Sequence, residues 1–370
     1  MSLYTPYELG SLTLANRVAM SSMTRNRAAW PQGTPTEPTA EYFAQRATAG
    51  LMVTGSTAVS PEARGYLWTE GLFTHEQTDA WRTVTGAVHA RGGHIAVQLI
   101  HVGRVSHVSL QPGETLPQGV SEVPADAQVL AWRPDGTPGM VPASAPRAMT
   151  TAEIQGVVTA FGRAAERAVA AGFDAVEIQA ANGFLPEQFF DPAVNDRTDD
   201  HGGSIENRVR FTVEVVEAAR AAGLPVGVKV TPNGVVNGSA PFDDWRELYL
   251  RLAAELDRAG AAYLNVTAQA SHRERNGLGP AFDEAFLTEV RAAYHGTLIV
   301  GGGYDAASAE RAVTGGTADM VAFGRSYVAN PDLVERLRTR HPLAEADLGK
   351  LYGGGAEGYT DYPPLTEAAA

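Results

Sequence analysis

Two glycine-rich turns late in the chain carry the first chemical signal. Gly301-Gly302-Gly303 directly follows the apolar run Leu298–Val300, and Phe323-Gly324-Arg325 directly follows Met320–Ala322. Residues without side chains let backbone N–H groups approach a phosphate, and an Arg fork can pair with it. Each turn alone is ordinary turn chemistry. Together, at consecutive strand ends, they point to a phosphorylated cofactor or substrate. A second set lies earlier: Met23-Thr24, Gln98 within Ala96-Val97-Gln98-Leu99, and Lys229. A Gln amide donates and accepts, and a Thr hydroxyl does either. A Lys ammonium stabilises developing negative charge. These are the partners required by a ring edge with carbonyl acceptors and an N–H, the pyrimidine edge of a flavin being one. Taken singly, a buried Thr or Gln is more often a satisfied core polar group.

Other chemistries are excluded by what is missing. With no Cys in 370 residues, the chain has no thiolate zinc site, iron–sulfur cluster, disulfide or cysteine nucleophile. Nine His are scattered without His-Glu-x-x-His or another dense ligand spacing, so no metal site is expected. No Gly-x-Ser-x-Gly elbow occurs. His101 follows the Gln98 strand, either facing a site or packing as a hydrogen-bonded core residue. The balance of 29 Lys and Arg against 42 Asp and Glu, a net charge of −13, repels nucleic acid. No apolar run reaches the roughly 20 residues of a spanning helix. The N-terminus lacks a signal-peptide pattern. A cytoplasmic enzyme acting on small molecules is expected, without nucleic-acid or membrane partners.

The elements that must hold these residues alternate regularly. Strand-type runs are Arg17–Ser21, Leu51–Thr57, Ile95–Leu99, Ala175–Ile178, Val226–Val230, Tyr263–Val266, Leu298–Val300 and Met320–Ala322. Between them lie amphipathic stretches, among them Thr78–Ala90, Thr151–Ala171, Ile205–Ala222, Asp243–Ala259, Asp283–Tyr294 and Ala306–Val313. Runs without polar alternation signify strands buried on both faces, hence a parallel sheet. Eight such α/β units predict a (β/α)8 TIM barrel. An open doubly wound sheet is the alternative, but no G-x-G-x-x-G follows the first strand. Gly50, Gly172, Gly223 and Gly260 fit helix C-caps. The Pro-, Gly- and Ser-rich stretch 106–149 after the third strand is long enough to be functional. It reads as a lid over the barrel mouth, or as a solvated excursion. The whole of 1–370 reads as a single domain.

The segment Val176-Glu177-Ile178-Gln179-Ala180-Ala181-Asn182-Gly183-Phe184-Leu185, continuing through Glu187-Gln188-Phe189 and Gly202-Gly203-Ser204-Ile205-Glu206-Asn207-Arg208, closely resembles the Old Yellow Enzyme family of FMN-dependent ene-reductases. More narrowly, it looks like the bacterial N-ethylmaleimide, pentaerythritol tetranitrate and glycerol trinitrate reductases. Supporting matches are Met23–Arg27, Gln98–Arg104, Val321–Arg325 and Tyr352–Tyr359. The resemblance spans nearly the whole chain and implies bound FMN reduced by NADPH or NADH. The substrate then takes the nicotinamide's place in the same pocket. By the same resemblance, Met23, Thr24, Ser56, Gln98 and Lys229 surround the flavin ring, and Gly302, Gly303, Gly324 and Arg325 hold its phosphate. Tyr66, Ile100 and Tyr352 line the substrate cavity. A monomer or homodimer is expected.

Departures from the pattern are as informative. The family usually carries His where this chain has Gln179, paired with Asn182 to grip a substrate carbonyl. It usually carries Tyr, the acid that protonates the alkene, where this chain has Phe184. Lys229 stands in place of an Arg, and Ile100 in place of a frequent Trp. Gln179, Asn182 and Phe184 are therefore the expected catalytic positions of an atypical reductase of activated alkenes, nitro compounds or nitrate esters. A redox-neutral isomerase, a dehydrogenase or another repurposed biosynthetic flavoenzyme is the alternative. A flavin-binding protein with little catalysis is a further one.

Overall fold

The computed structural model describes residues 2–365; the outermost residues of the 1–370 domain expectation, 1 and 366–370, lie outside the described residues. Eight parallel strands close into a barrel. In chain order they are β1 (Val18–Met20), β2 (Leu51–Ala58), β3 (Ile95–Ile100), β4 (Ala175–Ala180), β5 (Val226–Val230), β6 (Tyr263–Thr267), β7 (Thr297–Gly301) and β8 (Met320–Phe323). Each pairs with its sequence neighbour, and β8 returns to β1. The open-sheet alternative is thereby replaced by a TIM barrel. All of β3, β4 and β5 is buried, as strands enclosed on both faces must be.

The principal helices are α1 (Glu37–Gln45), α2 (His75–His89), α3 (Thr151–Ala170), α4 (Ile205–Arg220), α5 (Trp245–Arg258), α6 (Glu284–Ala293), α7 (Ala306–Thr314) and α8 (Leu333–Thr339). Their starts are chemically marked. Thr74, Thr150, Ser204, Asp283 and Asp305 each accept a hydrogen bond from a backbone N–H of the first turn, satisfying donors that the helix leaves unpaired. Helix α1, in a Pro-rich stretch that gives little periodicity, is not among the helices read from the sequence. Its N-terminus nonetheless carries the Thr36 capping box.

Lower in the barrel, Ala19, Leu51, Val53, Ala96, Ala175, Tyr263, Ile299 and Met320 form a core of their own. An N-terminal hairpin, Tyr7–Leu9 with Leu12–Leu14, adds fully buried Leu9 and Leu14 to it. Gly172, Gly223 and Gly260 have positive φ, as expected of C-caps, but Gly50 does not. Gly50 is needed for space instead: a Cβ there would lie 2.1 Å from the carbonyl oxygen of Asn16. The 106–149 stretch holds short 3-10 turns and an antiparallel hairpin, Gln128–Trp132 with Pro138–Pro142.

Candidate active site

A cavity of about 660 Å³ opens at the C-terminal ends of the strands. Of the residues singled out from the sequence, Met23, Thr24, Ser56, Tyr66, Ile100, Gln179, Asn182, Phe184, Arg325 and Tyr352 form its wall. Gln98, Lys229, Gly302, Gly303 and Gly324 do not, and sit behind or beside it. The hairpin of the 106–149 stretch contributes Leu130, Pro138 and Met140.

The inner wall is built by a bulge. Between Val53 and Ser56 the register of β2 against β3 shifts, bringing Ser56 opposite Gln98; such bulges re-aim side chains. The Ser56 N–H donates to Thr24 Oγ1 at 3.1 Å and its hydroxyl to Gln98 Oε1 at 3.1 Å. Ser22 donates to the same oxygen at 2.6 Å, and Gln98 Nε2 donates to Glu177 Oε1 at 2.7 Å. Gln98 is thus engaged mainly within the protein and keeps one amide N–H uncommitted. Buried Lys229 pairs in register with Gln179 on one side and Asn265 on the other. Its Nζ donates to Ser21 Oγ at 3.2 Å. Burial lowers its pKa and the nearby Glu177 carboxylate opposes the shift. Sequence reasoning gives no role to Glu177 or Asn265. Glu177 alone had a visible signal, a carboxylate within the otherwise apolar run of β4.

Gln179 lies near the end of β4, with Asn182 and Phe184 just beyond. The Gln179 side chain is buried and its Oε1 has no hydrogen-bond partner. Asn182 adopts φ 60°. Its N–H donates to Thr231 Oγ1 at 3.0 Å, and its carbonyl accepts from Asn237 Nδ2 at 2.9 Å. Phe184 packs with Leu67, Ile100, Val102 and Ala131, beneath the hairpin. Burial pushes the Tyr66 hydroxyl well above an ordinary phenol; Tyr352 adds to this and Asn237 opposes it. Tyr352 itself is 64% exposed at the rim. His272, also in the wall, is lowered by burial and then by Arg275 and Arg325.

His101 proves to be a packing residue, outside this wall and fully buried. The Gly103 N–H donates to its Nδ1 at 3.1 Å, and its Nε2 lies 3.2 Å from Gln118 Oε1. Burial drops its pKa to about 4, so it stays neutral at physiological pH.

Just beyond the end of β7, Gly302 and Gly303 have φ of 96° and 95°. A Cβ on Gly302 would lie 2.9 Å from the backbone nitrogen of Ala268 and 3.2 Å from that of Gln269. Arg325 follows β8 and its guanidinium hydrogen-bonds Ser271 Oγ. The Ala268 N–H already donates to the Gly301 carbonyl at 2.9 Å, so the bare Gly302–Gly303 backbone, the Gln269 N–H and the Arg325 cation are the parts left for a phosphate cradle.

A model of the NADH:flavin oxidoreductase / NADH oxidase family, whose members use FMN, matches residues 2–344. The chain belongs to that family. This Old Yellow Enzyme-type flavin oxidoreductase is 38% identical to 12-oxophytodienoate reductase 7 of Oryza sativa subsp. japonica over 98% of its own length and 94% of the relative's. It is 36% identical to 12-oxophytodienoate reductase 2 of Arabidopsis thaliana, covering 99% and 96% respectively. Morphinone reductase in complex with tetrahydroNAD superposes with a TM-score of 0.93 at 44% identity, over 100% of this chain and 99% of that one. The Old Yellow Enzyme homologue from Zymomonas mobilis gives 0.90 at 32%, over 99% and 100%. The chain is an NAD(P)H-dependent flavin oxidoreductase that uses FMN. Its own residues fit that cofactor: the Gly302–Gly303 cradle suits a phosphate, and the Thr24–Ser56–Gln98 cluster, backed by Lys229, suits a polar ring edge. Among the described residues no group of three or more His, Asp or Glu could hold a metal, and no helix is long and apolar enough to cross a membrane.

Behind the Asn182 segment, the Gly183 N–H donates to Glu187 Oε2 at 2.5 Å, and the Thr231 and Tyr249 hydroxyls donate to its Oε1, each at 3.2 Å. Burial outweighs these bonds and raises the Glu187 pKa from 4.5 to about 7. Folding therefore favours the protonated carboxyl. The resulting stabilisation is full below about pH 4.5 and is lost as pH rises through about 7. It amounts to roughly 3 kcal/mol. Glu187→Gln should flatten the fall in Tm between pH 5 and pH 8, as followed by calorimetry. Glu70 is buried with a pKa also raised to about 7, so the informative quantity is the difference between variant and parent. Identical slopes would place the titration elsewhere.

Proposed function

We propose that this enzyme takes reducing equivalents from NAD(P)H and passes them, in a ping-pong scheme through one pocket, to small activated alkenes, nitro compounds or nitrate esters. Bound FMN supplies the hydride-transfer chemistry. The observation that carries the reading is the convergence of Thr24, Ser56, Gln179, Asn182 and Tyr66 on one cavity with an apolar wall of Ile100, Phe184, Leu130 and Met140. In this reading the chain is one FMN-binding domain, and 106–149 acts as a lid whose hairpin covers the substrate. Thr24, Ser56, Gln98 and Lys229 orient the ring, while Gly302, Gly303, Gly324 and Arg325 hold the phosphate.

The Asn182 and Gln179 amides bind the substrate's carbonyl or nitro oxygen. Amide donors are neutral, so they polarise a carbonyl less than a His–Asn pair does. Phe184 has no proton to give, which favours acceptors that do not need an enzyme acid at carbon. Tyr66 is the substitute donor in this reading, because it lines the same cavity as Asn182 and Phe184 and, as a phenol, is protonated at neutral pH. Tyr66→Phe should lower 2-cyclohexen-1-one turnover by about tenfold, at the low edge of acid catalysis, while leaving nitrate-ester turnover within a factor of two. Equal losses on both substrates would mean that Tyr66 shapes the cavity and does not donate. The reading as a whole is tested by anaerobic reduction of the yellow protein with NADPH or NADH, followed by oxidation with enones, nitro compounds and nitrate esters. Failure of every acceptor to reoxidise the protein would remove it.

A further inference from the structure

Asn182 can turn its side-chain amide either way, presenting a donor or an acceptor to the cavity. We propose that Gln269 makes this choice, and is a positioning residue that aims the Asn182 Nδ2 donor at the substrate. The inference rests on the reading above, in which Asn182 grips a substrate oxygen.

The relay begins at a group that cannot be reversed. The backbone N–H of Val235 can only donate, and it donates to the side-chain oxygen Oε1 of Gln269 at 2.9 Å. That fixes the Gln269 amide, since its other end must then be Nε2. Nε2 donates to Asn182 Oδ1 at 2.7 Å. Asn182 is fixed in turn: Oδ1 faces Gln269, and Nδ2 is the end left for the cavity whose wall Asn182 forms. The polarity of one main-chain N–H is thus handed through two amides to the substrate.

The rest of the arrangement leaves little other freedom. Both residues have left-handed backbones, φ 60° at Asn182 and 47° at Gln269. The Asn182 main chain is held at both ends by Thr231 and Asn237. Gln269 is 7% exposed, so water competes weakly for its amide. What remains undetermined at Asn182 is the amide flip, and Gln269 removes it. The pair also ties the loop after β4 to those after β5 and β6, so three barrel strands fix one donor. A donor held in place before the substrate arrives needs no reorganisation during reaction.

Two substitutions separate aiming from mere support. In Gln269→Glu one carboxylate oxygen can still accept from Val235, but the other cannot donate, so Asn182 must turn Nδ2 inward and present Oδ1 to the substrate. Gln269→Met keeps the bulk and removes both bonds, leaving Asn182 free to flip. The readouts are kcat/KM for 2-cyclohexen-1-one and, independently of turnover, the calorimetric Kd of saturated cyclohexanone for the oxidised holoenzyme. Gln269→Glu should weaken both by at least tenfold, and Gln269→Met by about threefold. In an Asn182→Ala background neither change should move either quantity by more than twofold, because the group they act through is gone. Losses of equal size with and without Asn182 would make Gln269 a structural support and overturn the proposal, as would a Gln269→Glu variant indistinguishable from the parent. If Asn182→Ala weakens cyclohexanone binding while the Gln269 variants are silent, only the aiming role fails. If the parent does not bind cyclohexanone, or Asn182→Ala leaves its Kd unchanged, the carbonyl-gripping reading fails and the aiming role with it.

Discussion

Installing Gln179→His together with Phe184→Tyr is expected to raise kcat/KM for 2-cyclohexen-1-one by well over tenfold. Two separate deficits are repaired. The Gln179 Oε1 is buried without a partner, so this amide is not locked in a donating pose as a hydrogen-bonded imidazole would be. A preorganised donor at a developing oxyanion is worth on the order of 10²–10³-fold. Phe184 forms part of the cavity wall yet is only 7% exposed, among apolar neighbours. A hydroxyl on that ring would find its partners on the cavity side, where an acid contributes about 10²–10⁴-fold. The full product is not expected, because effects within one site are not additive and, in the proposed scheme, Tyr66 or solvent would already supply some protonation. Reduction of a nitrate ester should gain far less, since no carbon needs the tyrosine proton. Stopped-flow measurement of the oxidative half-reaction isolates this step from reduction by NADPH. A double variant that still accepts electrons from NADPH but gains nothing on the enone would put the limiting step outside these two side chains.

The second large effect is on cofactor retention. Gly302→Val should weaken FMN binding by about a hundredfold, read by fluorescence titration of the apoprotein and by the ratio of absorbance at 450 and 280 nm after purification. A branched residue at φ 96° is strained, at a cost of about 1–3 kcal/mol. Its Cβ would also press on the Ala268 backbone nitrogen at 2.9 Å, a contact that a flexible side chain could relieve but main chain cannot. Either the turn shifts or the phosphate is displaced, and both loosen the cradle. Retention of FMN at the parent's level would mean that the phosphate lies elsewhere. The comparison is sharpened by Arg325→Ala, which removes charge without adding bulk and should cost about tenfold.

The barrel was legible because its strands are short, apolar and almost entirely buried, and repeated runs of that kind between amphipathic helices fit little besides a parallel sheet. The turns after β7 and β8 were legible because glycine in a run has a backbone meaning. The positions of Gln179, Asn182 and Phe184 came from the resemblance of their segment, and nothing in their own types would have singled them out. Less could be read where function depends on a partner distant in sequence. Thr231, Asn237 and Gln269 are ordinary polar residues until the loops after β4, β5 and β6 are brought side by side. The β2 bulge that turns Ser56 inward leaves no mark in a run that reads simply as a strand. Gly50 was read for its conformation and is there for its smallness, a distinction only the neighbouring Asn16 backbone reveals. His101 illustrates the reverse case, in which a chemically suggestive residue is absorbed by packing.

The hairpin formed by Tyr7–Leu9 and Leu12–Leu14 bears on kinetics, although it lies at the end of the barrel remote from any chemistry. With Leu9 and Leu14 fully buried against the lower core, the hairpin seals the base of a barrel whose interior is already packed, and the cavity opens at the other end. Under the one-pocket scheme proposed above, reductant and acceptor would then compete for the same opening. Velocity should in that case pass through a maximum as the acceptor concentration rises, and a rate that climbs to a plateau at every NADPH concentration would speak against a shared pocket.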